Sequence, residues 1–442
     1  MLEINNMYEN QDQLAFQSKE QIRAFQTNSL QRLLAYVNTH SPYYRRLFKE
    51  KKINIKNIQQ LEDIVQLPIT TKDDLAQNNS DFICVPTHEI IDYITTSGTV
   101  GDPVTLITND ADLNRLAYNE YISFKNAGCS SHDIIQLMTT IDKRFMAGLA
   151  YFLGARKLGA GIIRVGAGMP ELQWDSILRI KPTVLVAVPS FIIKLVDYAI
   201  KNNIDYKNCS IKKAICIGEP LRNEDFSLNT LGRKIKEHWD LELYSTYAST
   251  EMATAFTECA CGVGGHQIPE LIVVEFLDDH NLPVAVGQAG EVTITTLDVQ
   301  GMPLIRYKTG DVVKHYTDTC ACGRNTIRLG PVIGRKNQMI KYKGTTLFPS
   351  SIYDVLNNLN EIHSYLIEIS TNEIGTDDIL VKVSTKEKVD DTFVKELKDH
   401  FRAKLRVAPS IEICSIEDLH AIQYKESLRK PILFIDKRTP IL

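Results

Sequence analysis

A short run of hydroxyl and glycine residues is the part of the sequence whose residue types point most directly to chemistry. Residues 95–103 read Thr-Thr-Ser-Gly-Thr-Val-Gly-Asp-Pro. Glycine lets backbone N–H groups approach an anion closely, and hydroxyl groups add donors to phosphate oxygens. No Gly-Lys-Ser/Thr follows, so the run is not a Walker A loop. Taken alone, such a run is more often an ordinary turn between strands, so its interpretation depends on the rest of the chain.

Further short motifs follow this run, and each contains residues able to bind a nucleotide. Each also has a simpler explanation when taken alone, because Glu251 could open a helix, where a carboxylate is stabilised, and Asp311 could be a turn residue. Several motifs in one order are far more specific than any single one. They are Ile-Gly-Glu-Pro at 217–220, Tyr-Ala-Ser-Thr-Glu at 247–251, Ile-Arg-Tyr-Lys-Thr-Gly-Asp at 305–311 and Gly-Arg at 334–335.

The cysteines suggest a metal site. Nine cysteines, an odd number without a secretory signal, argue against a disulfide framework. Five are scattered and are expected to be buried thiols, whereas Cys259 and Cys261 form one close pair and Cys320 and Cys322 another. With His266, the thiols of Cys259, Cys320 and Cys322 make a Cys₃His set of the structural zinc kind. Cys261 could replace Cys259, and reduced surface thiols are the alternative interpretation.

The composition of the chain excludes several classes of function. The chain has 442 residues, and its 50 Lys and Arg against 54 Asp and Glu give a net charge of 50 − 54 = −4. Hydrophobic residues make up 44% and charged residues 24%, which is typical of a soluble protein of two or three domains. The mild acidic excess argues against a nucleic-acid binder. No apolar run is long enough to span a membrane, and the N-terminus lacks a signal sequence, so we expect a cytoplasmic protein.

The elements that position these motifs follow from hydrophobic periodicity. Residues 17–49 predict amphipathic helix interrupted at Ser41-Pro42, and Thr71 with Asp74 predicts a helix N-cap. Residues 133–247 alternate between short apolar runs and amphipathic runs, which indicates a parallel, doubly wound α/β sheet. The strands are predicted at 134–138, 162–165, 183–188, 214–217 and 241–247, and the helices at 145–158, closed by Gly159, 171–180, 191–202 and 224–238.

The chain changes character twice after this region. Residues 270–316 are rich in β-branched residues separated by turn residues, which favours an antiparallel β region. After Gly334-Arg335 a strand–helix–strand–strand–helix–strand order predicts a small α+β, ferredoxin-like domain, with 411–416 as its last strand. We therefore predict a large N-terminal domain at 1–334 and a small C-terminal domain at 335–442.

In this order and spacing, the motifs resemble the adenylate-forming superfamily of acyl-CoA synthetases, and within it the phenylacetate–CoA ligase family. The resemblance covers almost the whole chain. The closer match rests on SPYYRRLF (41–48), LPITTKDDL (67–75), GGHQIPELIVVEFLDD (264–279), GEVTITTL (290–297), MPLIRYKTGD (302–311) and CACGR (320–324).

The resemblance implies roles for most of the motif residues. The phosphate loop would hold the β- and γ-phosphates of ATP, Tyr247 would stack on adenine beside Ala248 and Ser249, and Thr250 would reach the α-phosphate. Glu251 would bind Mg²⁺, a hard cation that suits a carboxylate. Asp311 would take the ribose hydroxyls, and Arg335 would approach the ribose. The phosphate-loop residues are Thr96, Ser97, Gly98, Thr99 and Gly101, and the other wall of the adenine site is Gly218, Glu219 and Pro220.

The catalytic lysine implied by the resemblance lies near the C-terminus. Aligned on Ile435-Asp436, it is Lys430, with Lys425 as the runner-up because Arg429 replaces the usual glycine. Its ammonium group would bridge the carboxylate and the α-phosphate. The small domain would rotate between the two half-reactions about Asn337, which would bring Lys343 and Gly344 to the pantetheine tunnel.

Other positions depart from the family pattern. Asp102 replaces a lysine of the phosphate loop, and Ala248 replaces the glycine after the stacking tyrosine. In the segment aligned with the acyl pocket, Phe145 keeps an apolar wall, but Lys143 and Arg144 bring positive charge near it. Phenylacetate itself is therefore not the only expectation, and a polar or acidic aromatic acid fits as well.

We therefore predict an ATP-dependent ligase that activates an aromatic, phenylacetate-like acid as an acyl-adenylate and transfers it to coenzyme A. ATP/AMP, Mg²⁺, coenzyme A and structural Zn²⁺ are the expected cofactors, and a homodimer is the expected assembly, with no nucleic-acid or membrane partner. One alternative is an adenylating enzyme that loads a carrier-protein phosphopantetheine thiol. Another is a catalytically weak nucleotide-binding homologue.

Overall fold

The computed structural model describes most of the chain, namely residues 11–96, 104–342, 345–372, 377–387, 389–424 and 431–438. The chain divides into two compact units. The first comprises Met1–Thr309 and Val313–Val332, and the second comprises Gly310–Val312 and Ile333–Leu442.

The first unit begins with capped helices. The Ser18 hydroxyl accepts a hydrogen bond from the Gln21 N–H and opens α1, and Ser41 ends α1 and caps α2. The predicted capping box of Thr71 and Asp74 is confirmed at α3. An antiparallel hairpin follows, in which Thr95 pairs with Thr105. These elements are α1 (Lys19–His40), α2 (Pro42–Glu50), α3 (Lys72–Gln77), β1 (Asp92–Thr95) and β2 (Thr105–Thr108).

Strands and helices then alternate as predicted. The helix predicted near 224–238 begins only at Thr230, because hydrogen bonds among Asn223, Asp225 and Ser227 hold a turn and Asn229 supplies the N-cap. The elements are α4 (Asp110–Asn126), β3 (Ile134–Leu137), α5 (Met146–Leu158), β4 (Gly161–Arg164), α6 (Pro170–Ile180), β5 (Val184–Ala187), α7 (Pro189–Lys201), β6 (Lys213–Ile217), α8 (Thr230–His238) and β7 (Glu242–Ser249).

The five strands β3 to β7 form a parallel, doubly wound sheet in the order β4-β3-β5-β6-β7. Alternate side chains of β5 enter different cores: Val184 and Val186 pack with residues of α4 and α5, and Leu185 and Ala187 with residues of α6 and α7. Helices therefore cover both faces. The strand order reverses between β3 and β5, and in such sheets the crevice at the carboxyl ends beside the reversal is the usual ligand site.

The antiparallel region predicted for residues 270–316 is present, and the structure shows that it begins earlier, at Thr254, and extends the same sheet beyond β7. The full strand order is β4-β3-β5-β6-β7-β8-β9-β13-β12-β11-β10. The added strands are β8 (Thr254–Glu258), β9 (Gly265–His266), β10 (Ile272–Leu277), β11 (Ala289–Thr296), β12 (Tyr307–Tyr316) and β13 (Arg328–Leu329).

The second unit is a small α+β domain with a four-stranded sheet in the order β19-β18-β17-β20. The prediction that residues 411–416 form the last strand is wrong. Ser415 caps a further helix, and a final strand pairs in parallel with β17. The elements are β14 (Gly334–Arg335), β15 (Ile340–Tyr342), β16 (Thr345–Leu347), α9 (Pro349–Asn357), β17 (Ile362–Thr371), β18 (Asp377–Thr385), α10 (Asp391–Leu405), β19 (Ser410–Ile413), α11 (Ile416–Gln423) and β20 (Phe434–Asp436).

Among the helices that the structure describes, none combines the length and the apolar character needed to cross a membrane.

The packing of α4 against α5 buries a carboxyl group. A Cβ added to Gly154 of α5 would overlap the side chain of Glu120 of α4, so the glycine permits the close approach. Glu120 is 5% exposed. Its Oε1 atom accepts a hydrogen bond of 3.0 Å from Asn119, and its Oε2 atom has no partner among the described residues. Burial therefore raises the pKa of Glu120 to about 8.

The buried carboxyl group predicts a pH-dependent stability. The native state keeps the Glu120 proton up to about pH 8, whereas an unfolded chain releases it near pH 4.5. The contribution of protonated Glu120 to the free energy of unfolding is therefore complete below pH 4.5 and is lost as pH rises through the native pKa. Relative to Glu120→Gln, the free energy of unfolding of the wild type should fall across this window by up to about 1.4 kcal/mol per pH unit.

Urea denaturation at about pH 5, 6.5 and 8 measures this slope. Glu171→Gln, at an exposed position of α6, is the control and should run parallel to the wild type. Parallel curves for the wild type and Glu120→Gln would contradict the prediction.

Candidate functional site

The hydroxyl-rich loop joins the two strands of the β1–β2 hairpin. The N–H of Thr96 donates to the carbonyl of Val104 (3.0 Å), and the N–H of Val104 donates to the Thr96 hydroxyl (3.3 Å). This pair of bonds closes the loop at its base, and Thr96 is buried there. The other predicted phosphate-loop residues, Ser97, Gly98, Thr99 and Gly101, lie outside the described residues, as do Lys343, Gly344, Lys425 and Lys430.

The segment aligned with the acyl pocket is attached to the same hairpin. The N–H of Thr95, the last residue of β1, donates to the carbonyl of Arg144 (3.1 Å). Lys143 and Arg144 have φ values of 58° and 56°, so two successive non-glycine residues are left-handed. Their side chains are exposed, and Phe145 is half-buried at the start of α5. Such backbone strain is concentrated at functional sites in proteins.

The loop after β6 is held by its own carboxylate. Gly218 turns the chain with a φ of 75°, which favours glycine. Glu219 accepts hydrogen bonds from the N–H of Ser190 (2.9 Å) and from its hydroxyl (2.8 Å). Ser190 lies in the first turn of α7, where N–H groups lack helical partners and a negative charge is stabilised. The carboxylate therefore fastens the Gly218–Pro220 loop to α7.

The motif at 247–251 begins on the strand beside this loop. Strands β6 and β7 are parallel, and their last pair is Ile217 with Thr246. The next residues along the two strands, Gly218 and Tyr247, therefore lie side by side. Tyr247 is half-buried, with its ring 6.1 Å from that of Phe256, and Ala248 is exposed. The structure thus brings two of the predicted adenine segments together at one edge of the sheet.

Thr250 and Glu251 lie in the turn between β7 and β8. Ser249 pairs with Thr254, so the four residues between them form a tight turn. The N–H of Ala253 donates to the carbonyl of Thr250 (3.2 Å), and Ala253 is left-handed with a φ of 45°. Thr250 and Glu251 are half-buried and line a cavity of about 30 Å³.

Asp311 and Arg335, the predicted ribose pair, belong to the second unit and contact each other there. Asp311 of β12 pairs with Arg335 of β14, and the Arg335 Nε atom donates to the Asp311 carboxylate (3.1 Å). Asp311 is 6% exposed, whereas 48% of the Arg335 side chain is exposed. The Asp311 carboxylate is therefore held by a half-exposed arginine and by the pairing of β12 with β14.

The four predicted metal ligands form a cluster. One ligand atom from each of Cys259, His266, Cys320 and Cys322 lies within 4.8 Å of all the others. The sulfurs of Cys259 and Cys320 are 3.8 Å apart, and the Cys322 sulfur is 3.5 Å from His266 Nε2. In a tetrahedral site with sulfur ligands about 2.3 Å from Zn²⁺, neighbouring sulfur atoms are about 3.8 Å apart. Cys261 is exposed and lies outside this cluster.

The surroundings shift the pKa values of all four side chains in the cluster. Burial, with smaller contributions from Arg324 and Arg328, lowers the pKa of His266 to about 3, so its imidazole is neutral. The Nδ1 atom is 3.0 Å from the Thr326 hydroxyl, which leaves Nε2 facing the thiols. Burial raises the pKa of Cys259 and of Cys320. It opposes the thiolate at Cys322 too, but hydrogen bonds led by those from Arg324 lower the pKa of Cys322.

A buried ion pair that the sequence motifs do not reveal joins the cluster to the loop after β6. The Arg222 Nε atom donates to both carboxylate oxygens of Glu258, at 2.7 and 2.9 Å. Glu258 directly precedes Cys259, and Arg222 follows Pro220 by two residues. No spacing rule in the sequence connects residues 222 and 258. The contact of Glu219 is different in one respect, because Pro189 after a buried strand does predict the start of the helix that Glu219 binds.

Comparison with known proteins agrees with this architecture. The sequence model described as "AMP-binding enzyme" matches residues 32–299, and the one described as "AMP-binding enzyme C-terminal domain" matches residues 344–438. The chain is 28% identical over 383 residues to the phenylacetate-coenzyme A ligase of Thermus thermophilus, covering 85% of this chain and 84% of the relative. It is 26% identical to the enzyme of that name from Escherichia coli, covering 85% of each.

A solved structure shares the fold of almost the whole chain. It is that of 2-hydroxyisobutyryl-CoA ligase in the postadenylation state with R3-HIB-AMP, with a TM-score of 0.83 and 24% identity. The likeness covers 96% of this chain and 91% of that chain.

The contact between Glu219 and Ser190 predicts an energetic coupling. Glu219→Ala leaves the helix N-terminus without its anion, and Ser190→Ala removes the hydroxyl but keeps the N–H. The double variant should lose less stability than the sum of the single variants, with a coupling of about 1 kcal/mol. Urea denaturation of the four proteins measures this coupling, and additive losses would show that the bond from the Ser190 hydroxyl to Glu219 contributes nothing.

Proposed function

The chain belongs to the AMP-binding enzyme family and is an AMP-forming acid–CoA ligase, and we propose that its acid is aromatic and phenylacetate-like. In the first half-reaction the carboxylate attacks the α-phosphorus of ATP and pyrophosphate leaves. In the second, the thiol of coenzyme A attacks the acyl carbon, loses its proton and displaces AMP. The acid class is supported by the names of the curated relatives and by Phe145.

One observation carries the assignment of the nucleotide site: the side-by-side placement of Gly218 and Tyr247 at the carboxyl ends of β6 and β7. We infer that adenine lies between the Tyr247 ring, flanked by Ala248 and Ser249, and the Gly218–Pro220 loop. The turn that follows would then present Thr250 to the α-phosphate and Glu251 to Mg²⁺. A carboxylate oxygen is the ligand that this ion prefers.

The second unit would complete the site during catalysis. Asp311 would accept hydrogen bonds from both ribose hydroxyls, because its carboxylate offers two acceptor oxygens, and Arg335 would lie beside the ribose. Lys430 would place its ammonium group between the carboxylate and the α-phosphate as their charges converge. Rotation of residues 335–442 about Asn337 would then admit coenzyme A past Lys343 and Gly344.

The exposed charges near Phe145 bear on which aromatic acids the enzyme would accept. Lys143 and Arg144 directly precede Phe145 and α5. They are two consecutive, exposed cations with a left-handed backbone. A polar or anionic substituent on the aromatic ring would be attracted to them. We therefore include hydroxylated and carboxylated aromatic acids among the candidate substrates.

An activity screen tests this function. We expect ATP-dependent pyrophosphate release and CoA thioester formation, with kcat/KM at least about tenfold higher for an aromatic acid than for 2-hydroxyisobutyrate. The panel contains phenylacetate, its hydroxyl and carboxyl derivatives, benzoate and short aliphatic acids. Preference for an aliphatic acid would contradict the aromatic proposal, and silence on every acid would contradict the ligase function.

Two controls separate the parts of this proposal. Lys430→Ala should abolish pyrophosphate release while the protein still binds ATP, and an unchanged rate would exclude Lys430 as the catalytic lysine. Thioester formation with free coenzyme A distinguishes the ligase from an enzyme that loads a carrier protein.

We also propose that Cys259, His266, Cys320 and Cys322 bind one structural Zn²⁺. The compact cluster of four ligand atoms and the neutral imidazole support the proposal. With four protein ligands the ion would keep no open position for water, so its contribution would be to stability and not to the chemical step. It would hold the 259–266 loop against β13 and the 320–324 loop.

Metal analysis tests the zinc proposal. The purified protein should contain about one zinc per chain, and Cys320→Ser should lose it and unfold at least about 5 °C lower. The matched control is Cys261→Ser, which changes an exposed thiol outside the cluster and should keep both the zinc and the unfolding temperature. A zinc-free wild type with the same unfolding temperature as a zinc-loaded sample would rule out a structural ion.

A further inference from the structure

One buried arginine of α4 holds the turn that carries Thr250 and Glu251. Arg115 is 1% exposed. Its guanidinium donates to the carbonyl of Ala253 (2.6 Å) and to the hydroxyl of Thr254 (3.0 Å), and these are the last residue of the turn and the first of β8. One side chain therefore binds the turn at the point where it rejoins the sheet.

The same guanidinium ties the turn to two distant segments. Its Nε atom donates to the carbonyl of Leu297 (2.7 Å), and Nη2 also donates to the carbonyl of Leu271 (2.6 Å). Leu271 directly precedes β10 and Leu297 directly follows β11. Arg115 thus joins the turn after β7 to both strands at the far edge of the antiparallel region.

The turn needs this support because its backbone is strained. Ala253 is left-handed, a conformation that costs a residue with a Cβ about 1 kcal/mol or more. A carbonyl group in such a position must be held by a directed donor if the turn is to keep one geometry. A guanidinium offers five donors in a planar fork, so it can hold several carbonyls in fixed directions, whereas the compact ammonium group of a lysine has three donors and lacks this fork.

Neighbouring residues on the same face of α4 extend this support. Asp112, one turn before Arg115, accepts from the N–H groups of Gln300 (2.7 Å) and Gly301 (2.8 Å). Asn119, one turn after it, accepts from the N–H of Ala255 (2.9 Å). Asp112 and Arg115 also line the small cavity that Thr250 and Glu251 line. The buried polar face of α4 therefore lies directly behind the predicted Mg²⁺ ligand.

We propose that Arg115 is a positioning residue for the adenylation step, which sets the place of Glu251 and Thr250 through Ala253 and Thr254. The inference rests on the proposed function of Glu251 as the Mg²⁺ ligand. In this proposal Arg115 acts through the turn, and we assign it no contact with ATP or the ion. Loss of its fork lets the turn relax, so the carboxylate and the hydroxyl move away from the positions at which Mg²⁺ and the α-phosphate need them.

The experiment measures the Mg²⁺ dependence of pyrophosphate release by the full-length protein. Arg115→Lys should raise the Mg²⁺ concentration for half-maximal rate about tenfold and lower kcat about tenfold, because small displacements of positioned groups are costly. Thr254→Val removes one acceptor of the fork and should shift both quantities in the same direction, by about threefold. This second variant keeps the test decisive if Arg115→Lys does not fold.

Gln26→Met is the matched control. Gln26 is also buried, and its amide donates to the carbonyls of Pro269 and Ile272, both at 3.0 Å, on either side of Leu271. The substitution loosens the same segment but leaves the 250–253 turn untouched. The half-maximal Mg²⁺ concentration of this variant should therefore stay within about twofold of the wild-type value. If Arg115→Lys and Gln26→Met lose similar thermal stability and shift the Mg²⁺ dependence equally, Arg115 is merely structural and the proposal is overturned.

A further variant separates this proposal from the one on which it rests. Glu251→Gln should itself raise the half-maximal Mg²⁺ concentration. If Glu251→Gln does not, the assignment of Glu251 is wrong whatever Arg115 does. If Glu251→Gln raises it and neither Arg115→Lys nor Thr254→Val does, the assignment of Glu251 stands and the positioning role of Arg115 fails.

Discussion

The candidate site depends on β7 being shared by two kinds of sheet. Along one edge β7 pairs in parallel with β6, and along the other it pairs antiparallel with β8. The parallel edge brings the loop after β6 beside Tyr247, because parallel strands end on the same side. The antiparallel edge forces the chain to reverse within four residues, which places Thr250 and Glu251 in a tight turn at that end. Shifting β7 by one residue would exchange the faces of all these side chains.

Local rules recover much of this framework from the sequence. The capping box at Thr71, the left-handed Gly159 after α5 and the alternation of strands and helices all depend on residues within a few positions of one another. The continuous apolar run of β5 likewise predicts a strand covered on both faces. The four residues of the Cys/His cluster were also named from the sequence, because two close cysteine pairs near a histidine are typical of metal sites.

The remaining features depend on contacts that sequence spacing does not encode. Ser415 and Asp418 cap α11, so the chain enters a helix after β19. A further strand, β20, then completes the sheet beside β17. The binding of Glu219 to Ser190 and of Arg115 to Ala253 joins residues 29 and 138 positions apart. Neither pair has a motif, since any carboxylate or guanidinium at the right place in space could serve.

The positions of these polar groups have a common physical reason. Apolar packing can fix where a helix or strand lies, because its contact surface is broad, but it exerts little directional control over a turn whose own groups are mostly backbone. A turn of four residues offers carbonyl and N–H groups, and only a directed donor or acceptor selects one of its conformations. Glu219 supplies an acceptor to the helix beside one loop, and Arg115 supplies donors to the other. The desolvation of the buried Arg115 guanidinium is the cost of that control.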